Sequence, residues 1–184
     1  MTRRSEQMKQ SAGELSELSA KLRDMIGVFK VSREGIEDHQ ETGLSGEDIP
    51  DLMPWGDKFK IGLTSVDDQH KELVAMVNEL HRAMKMKAGA KEAGGILDRL
   101  TEYTVYHFGY EEDLFDTHGY PEADAHKRIH KDLVDKVLAF KEDFHSGKAA
   151  LSMDLMDFLM TWLKEHILKT DSDYAPFFKE KGLD

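Results

Sequence analysis

His107 and Glu111 stand four residues apart, and so do His126 and His130. On a helix such a pair projects from one face with Cβ atoms about 5–6 Å apart, so each pair can offer two ligand atoms to one centre. His70 and His166 add an imidazole each, and Asp171 follows His166 by five residues. The chain has no cysteine. Disulfides, thiolate zinc sites and iron–sulfur clusters are therefore excluded, and any metal must be held by His, Asp or Glu. A lone histidine, or one His-x-x-x-His, is common in cores and on surfaces. Seven candidates from four successive helices are a different matter, because a core that buried these imidazoles without a metal would leave them without partners. The set His70, His107, Glu111, His126, His130, His166 and Asp171 reads as one joint metal site.

Four helical stretches must position these groups. The first runs from about Ser65 to Lys87, with Ser65 suited to the N-cap, Asp67 and Asp68 to the first turn, and Leu73, Val77, Leu80 and Met84 on the apolar face. Ala88-Gly89-Ala90 ends it. The second spans about Lys91 to Thr117 and stops at His118-Gly119-Tyr120-Pro121. The third runs from about Glu122 to His145, and the fourth from about Leu151 to Lys169, with a short tail helix over Ala175 to Lys181. Long helices with short connections predict an all-α, up-down-up-down four-helix bundle, each helix giving at least one ligand to the interior. One spacing conflicts with regular geometry. Five residues on an α-helix separate His166 from Asp171 by about 140°, so they could not face one site. Two devices resolve this: a π-bulge that brings i+5 round to the same face, or a helix that ends near Lys169 with Asp171 folding back.

The remaining histidines read as bland. His118 and His145 sit at helix ends, His39 lies in a linker, and His81 shares the face of His70 without an evident carboxylate partner. Ahead of the bundle, Met8, Leu15, Leu18, Leu22, Met25 and Phe29 keep a 3,4 spacing interrupted at Ser11. That pattern predicts an amphipathic helix over 1–31 with a coiled-coil seam. It is too short to be stable alone, so residues 8–29 call for a partner helix, self-association or a place folded back on the chain's own domain. Residues 32–51, rich in glycine and acid, read as a linker, and 52–184 as the main domain. The net charge of −11 argues against nucleic acid as a partner. No apolar run is long enough to span a bilayer, so direct membrane insertion is not expected. The polar N-terminus lacks a secretory core, which makes the cytoplasm the expected compartment.

Trp55 ahead of Ile61-Gly62, then Asp67-Asp68-Gln69-His70, His107-Phe108-Gly109-Tyr110-Glu111-Glu112, His126-Lys127-Arg128-Ile129-His130 and His166-Ile167-Leu168-Lys169-Thr170-Asp171 resemble the bacterial hemerythrins in order, residue type and spacing. The resemblance covers about Leu52 to Asp184. It implies a hemerythrin-like bundle and two iron ions (Fe2+/Fe3+) with an oxo or hydroxo bridge. His126, His130 and His166 would hold one iron, which is coordinatively full. His70 and His107 would hold the other, with a vacant position, and Glu111 and Asp171 would bridge the pair. Leu73, Phe108, Trp162, Leu163 and Ile167 would line the oxygen pocket over the open iron. The implied function is reversible dioxygen binding, without enzymatic turnover. Five neutral imidazoles and two carboxylates invert the carboxylate-rich set of ferritin-like oxidases.

Residues 14–31 are similar to the last helical turns of methyl-accepting chemotaxis receptors, which end in a like Leu-rich, Phe-Lys-Val run. This second resemblance implies an oxygen- or redox-sensing module linked to chemotaxis signalling. Oxygen storage or carriage is the alternative reading, and a di-iron oxidoreductase acting on peroxide or nitric oxide is a third.

Overall fold

The structure is a computed structural model, and it describes residues 46–184. The expected N-terminal helix, its seam and most of the linker lie outside the described residues. Among the described residues there is no strand, and no helix is long and apolar enough to cross a membrane. Four long helical runs form the expected bundle. Helix α1 is Thr64–Lys85, α2 is Ala90–His118, α3 is Ala123–His145 and α4 is Met153–Glu165. A π-helical turn, His166–Asp171, continues α4 directly into α5, Ser172–Glu180.

Each helix buries one stripe. On α1 this is Val66, His70, Leu73, Val77 and Leu80, spaced three and four apart. On α3 it is His126, His130, Leu133 and Val137. Connections of four to seven residues force neighbouring helices to run antiparallel, so α1 packs on α2 and α4, and α2 on α3. The α2 terminus is set by Gly119, whose φ of 70° lets its N–H and that of Tyr120 both reach the Phe115 carbonyl at 2.9 and 3.0 Å. At the start of α4, Ser152 Oγ accepts from the Leu155 N–H at 3.2 Å.

Two expectations are corrected. Ser65 does not cap α1, which already begins at Thr64 with no side-chain cap. Its hydroxyl pairs instead with the Tyr110 hydroxyl at 2.8 Å. Asp67 stands in the first turn as expected, and its carboxylate also turns back to accept from the Ile61 and Gly62 N–H groups at 2.8 and 3.0 Å. The loop ahead of the helix is thereby tied to it, and Lys179 Nζ, donating to the Ile61 carbonyl at 2.7 Å, fastens the same loop to α5. Second, the tail helix is not separate. The helical run is continuous from Met153 to Glu180, because the widened turn is stabilised rather than broken. Ser172 Oγ donates to the Ile167 carbonyl at 2.9 Å, five residues back.

Residues 46–63 pack along the bundle before α1 begins. Ile49, Met53 and Phe59 are buried, Met53 exchanges two backbone hydrogen bonds with the Asn78 amide (2.9 and 3.0 Å), and Asp51 pairs with Arg82 at 2.6 Å.

Candidate metal centre

Antiparallel packing stacks the bundle interior in layers. One layer carries His70 from α1, His107 from α2, His130 from α3 and His166 from the π turn. The next carries Glu111 from α2, His126 from α3 and Asp171 from the end of the π turn. All seven side chains are buried, and His70, His107, Glu111 and Asp171 are wholly so. The π turn is what brings Asp171 into this layer. With one extra residue in the turn, the fifth position returns to the face of His166, and His166 Nε2 stands 3.1 Å from Asp171 Oδ1.

The seven groups fall into two overlapping clusters. His70, His107, Glu111 and Asp171 form one, and Glu111, His126, His130, His166 and Asp171 the other, with the ligand atoms of each lying within 4.8 Å of one another. The two carboxylates belong to both, and each divides its oxygens between them. Glu111 Oε1 lies 3.5 Å from His107 Nε2 and 4.0 Å from His70 Nε2, while Oε2 lies 3.1 Å from His130 Nε2 and 3.9 Å from His126 Nε2. Asp171 Oδ2 approaches His70 Nε2 at 3.1 Å, while Oδ1 faces His126 Nε2 at 3.3 Å and His166.

These contacts are close, yet the inward-facing atoms lack hydrogen-bond geometry. The Nε2 atoms of all five histidines, Glu111 Oε2 and both Asp171 oxygens are buried without a hydrogen-bond partner. Buried polar atoms in such number demand an explanation, and cations at the two points of convergence supply one, since imidazole and carboxylate are ligands for divalent first-row metals. The donor set fits two metal ions.

Electrostatics point the same way. Burial pushes the His130 imidazole down to about 4 and His166 to about 3, and holds His107 well below the ordinary histidine range. These rings are thus kept in the neutral, ligating form. Burial and the neighbouring Asp171 push Glu111 up to about 8. Asp171, although buried, is held below the usual carboxylate range by His166, His126 and His70. His70, also buried, is held above the usual range chiefly by Asp171. Two carboxylates this close and this dry cannot both ionise without added positive charge, which is what a metal pair contributes.

Three supporting residues escape a reading of spacing alone. His107 Nδ1 meets Gln69 Oε1 at 3.0 Å, and His130 Nδ1 meets Glu112 Oε1 at 3.0 Å. The Tyr174 hydroxyl donates to Glu111 Oε1. Gln69 and Glu112 were visible only as neighbours of ligands in sequence. Tyr174, one turn beyond Asp171, carried no separate signal. On this side the site is closed by aromatic rings, with Tyr174 packed against Phe115, Phe178 and His126 at 5.3–5.5 Å between centroids.

One turn away on the opposite side lies an apolar cavity of about 20 Å³, lined by Leu73, Val77, Leu100, Thr104, Leu133, Val137, Leu159, Trp162 and Leu163. Leu73, Thr104, Leu133 and Leu163 each sit three residues from a histidine of the first layer. Of the expected pocket residues, Leu73, Trp162 and Leu163 line this cavity. Phe108 lies flat on His130, with centroids 3.8 Å apart and planes 2° from parallel, and Ile167 is fully buried within the π turn. His118 packs edge-on against Phe178, and His145 pairs with Asp98 at 2.8 Å. His81 is buried on α1 and belongs to neither cluster.

Comparison with known proteins agrees with this geometry. The family described as the hemerythrin HHE cation binding domain matches residues 62–178, a span that contains all seven residues. The chain is similar to a bacteriohemerythrin of Stenotrophomonas maltophilia, with 36% identity over 124 residues covering 67% of this chain and 80% of that protein. A bacteriohemerythrin of Methylococcus capsulatus is 37% identical over 126 residues, covering 68% of this chain and 95% of that one. A wild-type hemerythrin crystal structure superimposes with a TM-score of 0.65 at 37% identity, over 68% of this chain and 96% of that one.

Proposed function

The chain belongs to the hemerythrin family, and from that premise we propose that it binds dioxygen reversibly at a pair of iron ions joined by an oxo or hydroxo bridge. The observation that carries this reading is the division of the Glu111 and Asp171 oxygens between the two clusters, which suits carboxylates that bridge two metals. His126, His130 and His166 would hold one iron, and His70 and His107 the other, so that the second would have one fewer protein ligand and room for a guest. When bound, the iron pair supplies the electrons that dioxygen takes up and gives back.

The chain's own residues favour binding over turnover. The cavity beside the histidine layer is apolar, and none of its lining residues is an acid or a base. Its one hydroxyl, Thr104 Oγ1, is committed to the Leu100 carbonyl at 2.7 Å. Proton delivery is thus withheld, and water is excluded by the surrounding leucines and valines. Tyr174, pushed well above the ordinary tyrosine range by burial and by Glu111, remains a hydrogen-bond donor and keeps Glu111 oriented. The expected readout is simple. Ferrous protein should hold two irons per chain, gain near-ultraviolet absorption in air without a haem Soret band, and lose it under argon. One iron per chain, or colour that does not reverse, would overturn the proposal.

The receptor-like sequence of residues 14–31 favours a sensory use linked to chemotaxis signalling over storage or carriage. Deleting residues 1–45 should abolish an oxygen response in the host cell while the purified protein still binds dioxygen. A response that survives the deletion would leave the carrier role.

A further inference from the structure

The two clusters share Glu111 and Asp171 but differ in what stands behind their imidazoles. Behind His107 is the neutral amide of Gln69, itself buried, with Oε1 3.0 Å from Nδ1. Behind His130, at the same distance, is the carboxylate of Glu112. Both oxygens are acceptors, so both rings must carry their proton on Nδ1 and turn the Nε2 lone pair inward. The partners are not equal, however. A carboxylate accepting from imidazole makes the ring a stronger donor than an amide does, and such outer partners typically change metal affinity by about 10–100-fold. Phe108, lying flat on His130, fixes that ring so that Nδ1 faces Glu112 while Nε2 faces Glu111 Oε2. His70 Nδ1 and His166 Nδ1 are buried without hydrogen-bond partners, so neither adds an opposing bias. Glu112 thus strengthens the cluster that already holds three imidazoles against two.

We propose that the two metal positions load in order, the His126–His130–His166 position first, and that Glu112 and Gln69 set the gap between the steps. Glu112 is on this view a positioning residue acting through His130. The inference rests on the two-metal reading above and goes beyond it by assigning an order of loading and the residues that set it.

The test uses Co2+ as probe on the metal-free full chain under nitrogen, followed by visible absorption and by the paramagnetically shifted imidazole N–H resonances. Three shifted N–H signals should appear with the first equivalent and two more with the second, with dissociation constants about tenfold or more apart. Glu112→Gln should weaken the His126–His130–His166 position by about 10–100-fold and leave the His70–His107 position nearly unchanged, the two being told apart by their shifted N–H signals. Gln69→Glu should strengthen the second step and narrow the gap from the other side, which gives an independent arm if Glu112→Gln folds poorly. Equal weakening of both positions in Glu112→Gln, unchanged affinities in both variants, or two N–H signals at the first equivalent of the unsubstituted protein would each overturn the inference. Failure to bind two Co2+ at all would refute the two-metal reading itself, whereas two ions bound in an order independent of Glu112 and Gln69 refutes only the inference.

Discussion

Tyr174→Phe removes one hydroxyl and leaves the ring. The ring is fully buried among Phe115, Phe178 and His126, so its packing should survive the change and the effect should isolate the hydrogen bond to Glu111. A hydrogen bond to a charged acceptor is worth about 1.5–3 kcal/mol. With about 1.4 kcal/mol per factor of ten, metal affinity should fall by about 10–100-fold. A second effect adds to the first. The Tyr174 hydrogen bond works to lower the titration point of Glu111, which burial and Asp171 have already pushed up to about 8. Without it Glu111 holds its proton more tightly, and that proton competes with the metal near neutrality. The deficit should therefore be larger at pH 7 than at pH 9. In the metal-free protein the lost bond is to a mostly protonated partner and is worth about 1 kcal/mol, or roughly 2–4 °C in Tm for a chain of this size. Chelator competition for Fe2+ under nitrogen at the two pH values, with Tm of the metal-free proteins alongside, measures all of this. Unchanged metal affinity with a lowered metal-free Tm would show that Tyr174 is packing alone.

Leu73→Ala should enlarge the cavity beside the histidine layer, cost about 2–5 kcal/mol of stability and speed autoxidation at unchanged iron content; stopped-flow decay of the oxygenated protein checks this, and an unaltered rate would place the entry path elsewhere. The metal-free protein should show a maximum of stability at about pH 6. Below 6.5 the unfolded chain takes up protons that His130 and His166 refuse until about 4 and 3, so stability is lost on acidification. Glu111 contributes stability present below 4.5 and lost as pH rises toward about 8, and His70, raised, acts in the same direction. Because metal binding displaces that proton, thermal melts should show the loaded and metal-free proteins diverging as pH rises from 6 to 8. Deleting residues 1–45 should leave the iron content at two per chain, since every proposed ligand and its supporting contact lies after them; iron analysis of the truncated protein decides it.

The convergence of the seven residues was legible in the sequence because helical spacing is a local property. His107–Glu111 and His126–His130 each fix a face, and short connections then bring four faces together. The irregularity at His166–Asp171 was legible for the same reason: a five-residue gap contradicts α geometry, although spacing could not choose between a π turn and a helix end. The choice depended on Ser172, whose hydroxyl satisfies the carbonyl exposed by the wider turn. The outer partners were hidden because Gln69, Glu112 and Tyr174 act across helix–helix contacts, where a residue's role depends on which side chain faces it. Ser65 misled for a related reason. It has the right type for a cap, but Asp67 takes the preceding backbone N–H groups and the hydroxyl finds Tyr110 instead. Phe108 sits beside a ligand in sequence, and its stacking on His130 of another helix depends on a contact that spacing alone does not show.

The most direct test of the central claim is a dioxygen titration of the fully ferrous protein, with iron counted in the same sample. One dioxygen should be taken up per two irons and per chain, released on lowering the oxygen pressure and taken up again with no loss of amplitude. Uptake that is irreversible, or a ratio of one dioxygen per iron, would contradict a bridged pair with a single open position.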